Sequence, residues 1–233
     1  MPPGDPVEGA RVARRVGCDS CHGAGGKGGG LDETTPMGDR VVAPNLTQRR
    51  TQYTDAELEA LLHRGVTHDG HRVFGMPIKA SQHLSEREVR DIIAWMRALP
   101  AVDNPGLAQS HFTPGTLQSL LDGTHPYAHD DQPDPGNVPP ATPPTEPLAL
   151  GRHLALTSCS ECHGWDLQGD GFDTPPLSVA KAYTPEQFLR LMRSGIVAAG
   201  GTSKSGVMSG VAYRFSVMSD AEIAALKTYI DSQ

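Results

Sequence analysis

Two five-residue stretches carry the side chains needed to attach a cofactor covalently. They are Cys18-Asp19-Ser20-Cys21-His22 and Cys159-Ser160-Glu161-Cys162-His163. Thiols with two residues between them match the separation of the two vinyl groups of a porphyrin, and the adjacent histidine can bind iron from the same face. All four cysteines of the protein lie in these two stretches. The pattern therefore predicts two covalently attached haem c groups, with His22 and His163 as iron ligands.

Two other chemistries use similar residues. A thioredoxin-like redox pair also has the Cys-x-x-Cys spacing, but it requires a strand-helix context and gives no reason for a histidine after both pairs. A zinc site could use two cysteines and a histidine, yet each half lacks a partner pair at the usual spacing. Haem attachment is the interpretation that uses every cysteine and both adjacent histidines of the two stretches.

The helices that must position these stretches also occur twice. Apolar spacing and capping signals predict, in the first half, a short helix before Cys18, a helix that begins at Thr54 and ends near Gly65, and a last helix from Ser85 to Leu99. The second half repeats the order at 148–157, 184–195 and from Ser219 onwards. Repetition of order and distance indicates an internal duplication.

The segment between the halves differs in composition. Residues 101–147 hold 10 of the 20 prolines, and 100–147 carry six acidic residues with neither lysine nor arginine. We therefore predict a first domain at 1–100, a Pro-rich acidic and irregular linker at 101–147, and a second domain at 148–233. The histidines of the linker, His111, His125 and His129, fit no single helix face and are expected to be solvated.

Composition and charge exclude several classes of function. The net charge is −7 and neither half has a basic patch, so no nucleic-acid surface is expected. No apolar run is long enough to cross a membrane, and the first residues lack the features of a signal peptide. The glycine-rich stretch 23–30 follows no strand and lacks a Gly-Lys-Ser/Thr end, so it is interpreted as an irregular loop and not a phosphate site.

These motifs resemble tandem class I cytochrome c domains. They are similar, more closely, to the haem domains of cytochrome subunits that accept electrons from bacterial membrane-bound dehydrogenases. The first half has Cys21-His22-Gly23, Pro44-Asn45-Leu46-Thr47, Arg64-Gly65 and Met76-Pro77. The second has Cys162-His163-Gly164, Pro176-Leu177, Arg193-Ser194-Gly195 and Met208. The resemblance covers about 1–100 and 148–233.

The resemblance implies an all-α fold in each half, in which the first and last helices cross beside the haem. Gly9 and Gly151 would permit close approach to Trp95 and Tyr229. The carbonyls of Pro44 and Pro176 would accept hydrogen bonds from the two ligand histidines. Attachment of haem c in bacteria occurs outside the cytoplasm, so the resemblance also implies a periplasmic or otherwise extracytoplasmic protein whose signal or anchor has been removed.

The second axial ligand of each iron is expected to be a methionine. Met76 is the candidate in the first domain, because it lies in a loop and precedes Pro77, as in the family. Met208 is the candidate in the second, although Ser209 replaces the proline. Met96, Met192 and Met218 are more simply core residues. The alternatives left open in the first domain are Met37 and four histidines: His63, His68, His71 and His83.

Iron with histidine and methionine on opposite faces has no open position, which favours electron transfer over catalysis. The expected partners are a donor dehydrogenase and, as acceptor, an oxidase or another cytochrome. One alternative is a haem enzyme of the peroxidase or thiosulfate-oxidising type with a displaceable ligand. The other is a docking module in which the acidic linker holds a partner protein.

Overall fold

The computed structural model describes residues 3–35, 38–125, 132–169 and 174–233. Met37, an alternative iron ligand, and His129, expected to be solvated, lie outside these ranges. Within them the chain is helix-rich, with one small antiparallel hairpin of β1 (Asp32–Thr34) and β2 (Arg40–Val42). The described residues contain no helix of the length and apolarity needed to cross a membrane.

The first domain is built on two crossing helices, α1 (Pro6–Arg15) and α6 (Glu86–Ala98), which pack against each other. Between them, in chain order, lie the shorter helices α2 (Cys18–Cys21), α3 (Leu46–Arg49), α4 (Asp55–Arg64) and α5 (Ile78–Ser81). The second domain has the same plan. Its crossing pair is α8 (Pro147–Ser158) and α13 (Asp220–Ser232), and the intervening helices are α9 (Ser160–His163), α10 (Pro185–Ser194), α11 (Val207–Gly210) and α12 (Ala212–Phe215).

Local sequence signals account for the helix boundaries. The N-caps Thr54, Ser85, Thr184 and Ser219 each form a capping box with the residue three positions later. Helices α4 and α10 end at glycines with φ of 66° and 70°, a left-handed conformation that favours glycine. The predicted helix starts and stops are therefore confirmed.

The helix crossings depend on two glycines. A Cβ at Gly9 would collide with the carbonyl oxygen of Asp91 and lie 2.9 Å from the Cβ of Trp95. A Cβ at Gly151 would collide with the carbonyl oxygen of Ala225 and lie 2.6 Å from the Cβ of Tyr229. The predicted close approach is confirmed in both domains.

The proline-rich segment is more ordered than the irregular linker that its composition predicts. It contains helix α7 (Pro114–Leu121), and the backbones of Arg40 and His111 pair with each other beside the hairpin. Farther on, the amides of Glu86 and Arg87 donate to the carbonyls of Pro140 and Ala141. The segment thus runs along the first domain from its hairpin to the start of α6.

The histidines of this segment do not behave uniformly. His111 is exposed, as expected. His125 is buried, and its ring lies edge-on to Phe74 with centroids 5.6 Å apart. The prediction of a solvated side chain was wrong for His125, because the segment folds back onto the first domain and covers it.

Candidate haem-binding sites

Each attachment stretch forms a single helical turn at the end of the first helix of its domain. Gly17 has φ of 85°, which allows the chain to leave α1 and start α2 at once. In the second domain α8 runs almost directly into α9 through Cys159. Cysteines three residues apart on one turn lie on the same side, with the histidine next to them.

A carbonyl oxygen fixes each histidine ring. The Nδ1 of His22 lies 2.9 Å from the carbonyl oxygen of Pro44. The Nδ1 of His163 lies 2.8 Å from that of Pro175. Because a carbonyl can only accept, Nδ1 carries the proton in both rings, which leaves Nε2 free to bind a metal. This is the arrangement by which an outer hydrogen bond orients a metal-binding imidazole.

The predicted acceptor in the second domain, Pro176, was wrong. Its carbonyl accepts from the amide of Val179 and so closes the first turn of the 3₁₀ helix Leu177–Ala182. Leu46 and Leu177 both follow an N-cap residue, so Pro175 corresponds to Pro44 and Pro176 corresponds to Asn45. The carbonyl that corresponds to Pro44 therefore lies one residue earlier in the chain than predicted.

Burial governs the protonation of the donor groups. It lowers the pKa of His22, while the hydrogen bond to Pro44 acts in the opposite direction, so the ring is neutral near pH 7, as a metal ligand must be. Burial raises the pKa of the Cys18 and Cys159 thiols to about 12. Reactive redox cysteines have lowered pKa values, so these pairs are not suited to thioredoxin-like chemistry.

The first site opens onto a cavity of about 920 Å³, within the range of pockets that hold cofactors. Cys18, Cys21, His22 and Met76 all line it, and its apolar wall includes Leu58, Leu62, Leu84, Ile92, Trp95 and Met96. Residues of the proline-rich segment, Leu107 and Phe112 among them, also form part of the wall. A large flat apolar group with a histidine on one side fits this cavity.

The candidate sixth ligands of the first domain separate into two groups. Met76 lines the cavity and packs against the apolar core, and His68 and His71 also line the cavity. The ring of His68 lies edge-on to Tyr53, with centroids 4.7 Å apart. His63 and His83 are not among the residues that line the cavity, and the Nε2 of His63 lies 3.0 Å from the carbonyl oxygen of Leu84.

The second site borders a packed apolar cluster, with Cys159 buried and Cys162 exposed. Cys159 is a buried member of an apolar cluster that also contains Leu154, Phe188, Met192, Phe215 and Met218. Met208 is half-buried and packs against this cluster from α11. Met192 and Met218 are core residues, each with 2% of its surface exposed, as the sequence predicted. The donor set of two thiols and a carbonyl-anchored imidazole is the same as in the first domain.

The two sites approach each other across the domain interface. Thr157 and Glu161, which belong to the second domain, line the cavity of the first. Arg214 in α12 bonds to Glu161 and packs against Gly17, immediately before Cys18. No signal in the sequence marks Arg214, because it belongs to no motif and the Ser85–Ser219 correspondence places Ala80 at the equivalent position.

Family comparisons agree with this geometry. The family model described as "Cytochrome C oxidase, cbb3-type, subunit III" matches residues 4–96, and the model described as "Cytochrome c" matches residues 148–233. No curated protein gives a significant match to the chain. Both matched ranges contain one Cys-x-x-Cys-His stretch, one anchored histidine and one crossing helix pair. The chain therefore belongs to the class I cytochromes c, with two haem-binding domains in tandem.

Proposed function

We propose that this protein carries single electrons between a donor dehydrogenase and a respiratory acceptor or another cytochrome. The observation that supports this role is that each domain has a complete attachment set whose histidine is already oriented by a proline carbonyl. The haem iron, once bound, supplies the one-electron exchange between ferrous and ferric states. The chain's own residues hold the group, exclude water from it and set its potential.

Met76 and Met208 are the proposed sixth ligands. A thioether favours ferrous iron relative to a second imidazole, so this ligation gives positive potentials, suited to late steps of a respiratory chain. Met76 is supported by its position on the wall of the same cavity that Cys18, Cys21 and His22 line. Met208 is supported by its packing against the cluster that contains Cys159.

The proposed location is the periplasm or another extracytoplasmic compartment. The argument is chemical, since haem c is attached outside the bacterial cytoplasm. The proposed acceptor is an oxidase or a second cytochrome, and the family matched by the first domain, named for an oxidase subunit, is compatible with that choice. The linker between the domains is proposed to act as a fixed brace on the first domain, because Lys79 and Gln82 both bond to its Asp134.

A kinetic experiment tests the proposed role. The reduced holoprotein is mixed in a stopped-flow instrument with an oxidised cytochrome c, and the oxidised holoprotein is mixed with a reduced quinoprotein dehydrogenase. We expect both haems to exchange electrons within single turnovers, with rates that fall as ionic strength rises if the acidic surface steers the partners. Absence of exchange with either protein class would contradict an electron-carrier role.

The enzyme alternative rests on one difference between the domains. Met76 lies in a loop directly before Pro77, whereas Met208 lies within helix α11. When the two halves are aligned on the helix caps Ser85 and Ser219, Met76 corresponds to Gly210. Met208 thus stands two positions before the place that the first domain predicts. A weaker or displaceable ligand at the second iron would permit catalysis there. Turnover of peroxide or thiosulfate together with one high-spin haem would favour this alternative, and two low-spin haems without turnover would exclude it.

A further inference from the structure

Helix α12 of the second domain lies against the attachment turn of the first. The hydroxyl of Tyr213 is 2.6 Å from the Oγ of Ser20, which stands between Cys18 and Cys21. At the next residue, the Arg214 guanidinium packs so closely on Gly17 that a Cβ there would lie 2.5 Å from its Cζ. Two consecutive residues of one domain thus contact the haem-attachment turn of the other.

The same arginine also contacts the second attachment turn. Both Nη atoms of Arg214 lie 3.3 Å from one carboxylate oxygen of Glu161, which stands between Cys159 and Cys162. Arg214 is 6% exposed, and among the described residues its Nε has no hydrogen-bond partner. The Glu161 side chain is 32% exposed, so water hydrates and screens the carboxylate more than the guanidinium. The Arg214–Glu161 pair therefore leaves a net positive electrostatic potential on the side where the arginine is buried.

Arg214 lies at the attachment turns of both domains. It packs on Gly17, the residue before Cys18, and bonds to Glu161, the residue before Cys162, so its guanidinium is next to the turns that carry both pairs of cysteine sulfur atoms. These are the atoms to which both porphyrins would be attached. One buried cation therefore acts on the attachment edge of both sites.

Accepting the proposed electron-carrier role and its two haems, we propose that Arg214 is a shared electrostatic residue that raises the reduction potential of both haems. Reduction adds one negative charge to a site, and a nearby buried cation stabilises the reduced state. The first domain has Ala80 at the corresponding position, so the duplication does not repeat Arg214. The first domain's own buried cation at the interface, Arg15, is paired with the buried carboxylate of Glu88. The second domain thereby sets part of the potential of the first.

A spectroelectrochemical titration of the holoprotein tests this proposal. In Arg214→Met we expect the reduction equilibrium of each haem to shift about tenfold towards the oxidised state, or ~59 mV more negative for one electron. Arg214→Lys keeps the charge and should retain most of both potentials. Arg190→Met removes an exposed arginine of the same domain, bonded to the carbonyls of Val197 and Ala198, and should shift neither haem.

A second variant gives the opposite sign. Glu161→Gln removes the partner anion and should move both potentials in the positive direction, a result that structural damage would not produce. This variant also decides the question if Arg214→Met does not fold. A shift at one haem only, at neither, or of equal size in Arg190→Met would overturn the proposal. Failure of the proposed electron-carrier role would appear in the unmodified protein, as missing covalent haem or missing reversible one-electron steps.

Discussion

The two domains agree on the histidine side of the haem site and differ on the methionine side. In both, the first helix crosses the last at a glycine, and a proline carbonyl anchors the ligand histidine. In the first domain Met76 borders a cavity of about 920 Å³ that residues of the proline-rich segment help to enclose. In the second, Met208 lies on a short helix against a packed cluster. Covalent attachment restricts geometry on one face, whereas the other face accommodates different loops.

The contacts between the domains are likewise equivalent in position and different in burial. Glu88 and Glu222 occupy the same position in the capping boxes of α6 and α13. Each contacts the first helix of the other domain, Glu88 at His153 and Glu222 at Arg11, and these partners stand two residues after Gly151 and Gly9. The contacts are reciprocal, as an approximate two-fold relation between the domains would produce. They differ in burial, because the Glu88 side chain is 6% exposed and the Glu222 side chain 15%.

The largest expected effect concerns the methionine side. Met76→Ala should remove the Met-to-iron charge-transfer band of the first haem and lower its potential by more than ~59 mV, a tenfold change, because the thioether no longer favours ferrous iron. Met208→Ala should do the same at the second haem only. His68→Ala and His71→Ala are the matched controls on the same cavity wall. An unchanged band in Met76→Ala, with loss of low-spin character in either histidine variant, would contradict the assignment.

The second prediction concerns the interface. Glu88→Gln keeps a capping residue but leaves the buried Arg15, 2.5 Å from the carboxylate, without its counter-charge, so the free energy of unfolding should fall by about 3–5 kcal/mol. In Glu222→Gln, Arg11 retains Glu8, and we expect a loss of about 1 kcal/mol or less. Urea unfolding of the holoprotein measures both. Equal losses would show that the two contacts are equivalent despite their different burial.

The third prediction is the pH dependence of the same contact. Burial opposes ionisation of Glu88, but Arg15 and His153 outweigh it and lower its pKa from 4.5 to about 2. A lowered pKa means that the stabilisation is complete above about pH 4.5 and is lost as the pH falls through 2, amounting to about 3 kcal/mol. Unfolding free energies measured between pH 2 and 6 should show this loss. The loss should be absent in Glu88→Gln and present in Glu222→Gln.

A smaller effect than the loss of the Glu88 carboxylate is expected at the helix crossings. Gly9→Ala and Gly151→Ala place a methyl group against a backbone carbonyl, and each should cost about 2–3 kcal/mol of unfolding free energy. Gly115→Ala, in α7 with open space around it, is the control and should be neutral or slightly stabilising. Thermal unfolding gives the comparison. A large cost in one domain only would show that the two crossings are not equivalent.

The sequence predicts those parts of the fold that depend on local signals. Capping residues, helix-ending glycines and the attachment pattern act through neighbours a few positions away, so they mark α4, α6, α10 and α13 directly. The pairing of His22 with Pro44 could be inferred from the family resemblance. In the second domain the same inference selected Pro176, whereas Pro175 is the acceptor. Two consecutive prolines do not indicate which of their carbonyls points to the histidine.

Long-range contacts carried no comparable signal. His125 is in a proline-rich, acidic segment, and its composition does not reveal that the chain returns to cover Phe74. Arg214 has no special spacing relative to either attachment turn, because its role depends on how the domains dock. The buried pair of Arg15 and Glu88 likewise joins residues far apart in sequence within the first domain, and the interface then adds His153 to it.

The central claim is that this chain holds two covalently attached haem c groups, one in each domain. Intact-mass spectrometry of the denatured holoprotein tests it most directly, with Cys159→Ala/Cys162→Ala as the comparison. The account predicts the mass of the chain plus two haems for the unmodified protein, and the chain plus one for the double variant. An unmodified protein that carries one haem or none after denaturation would contradict the account.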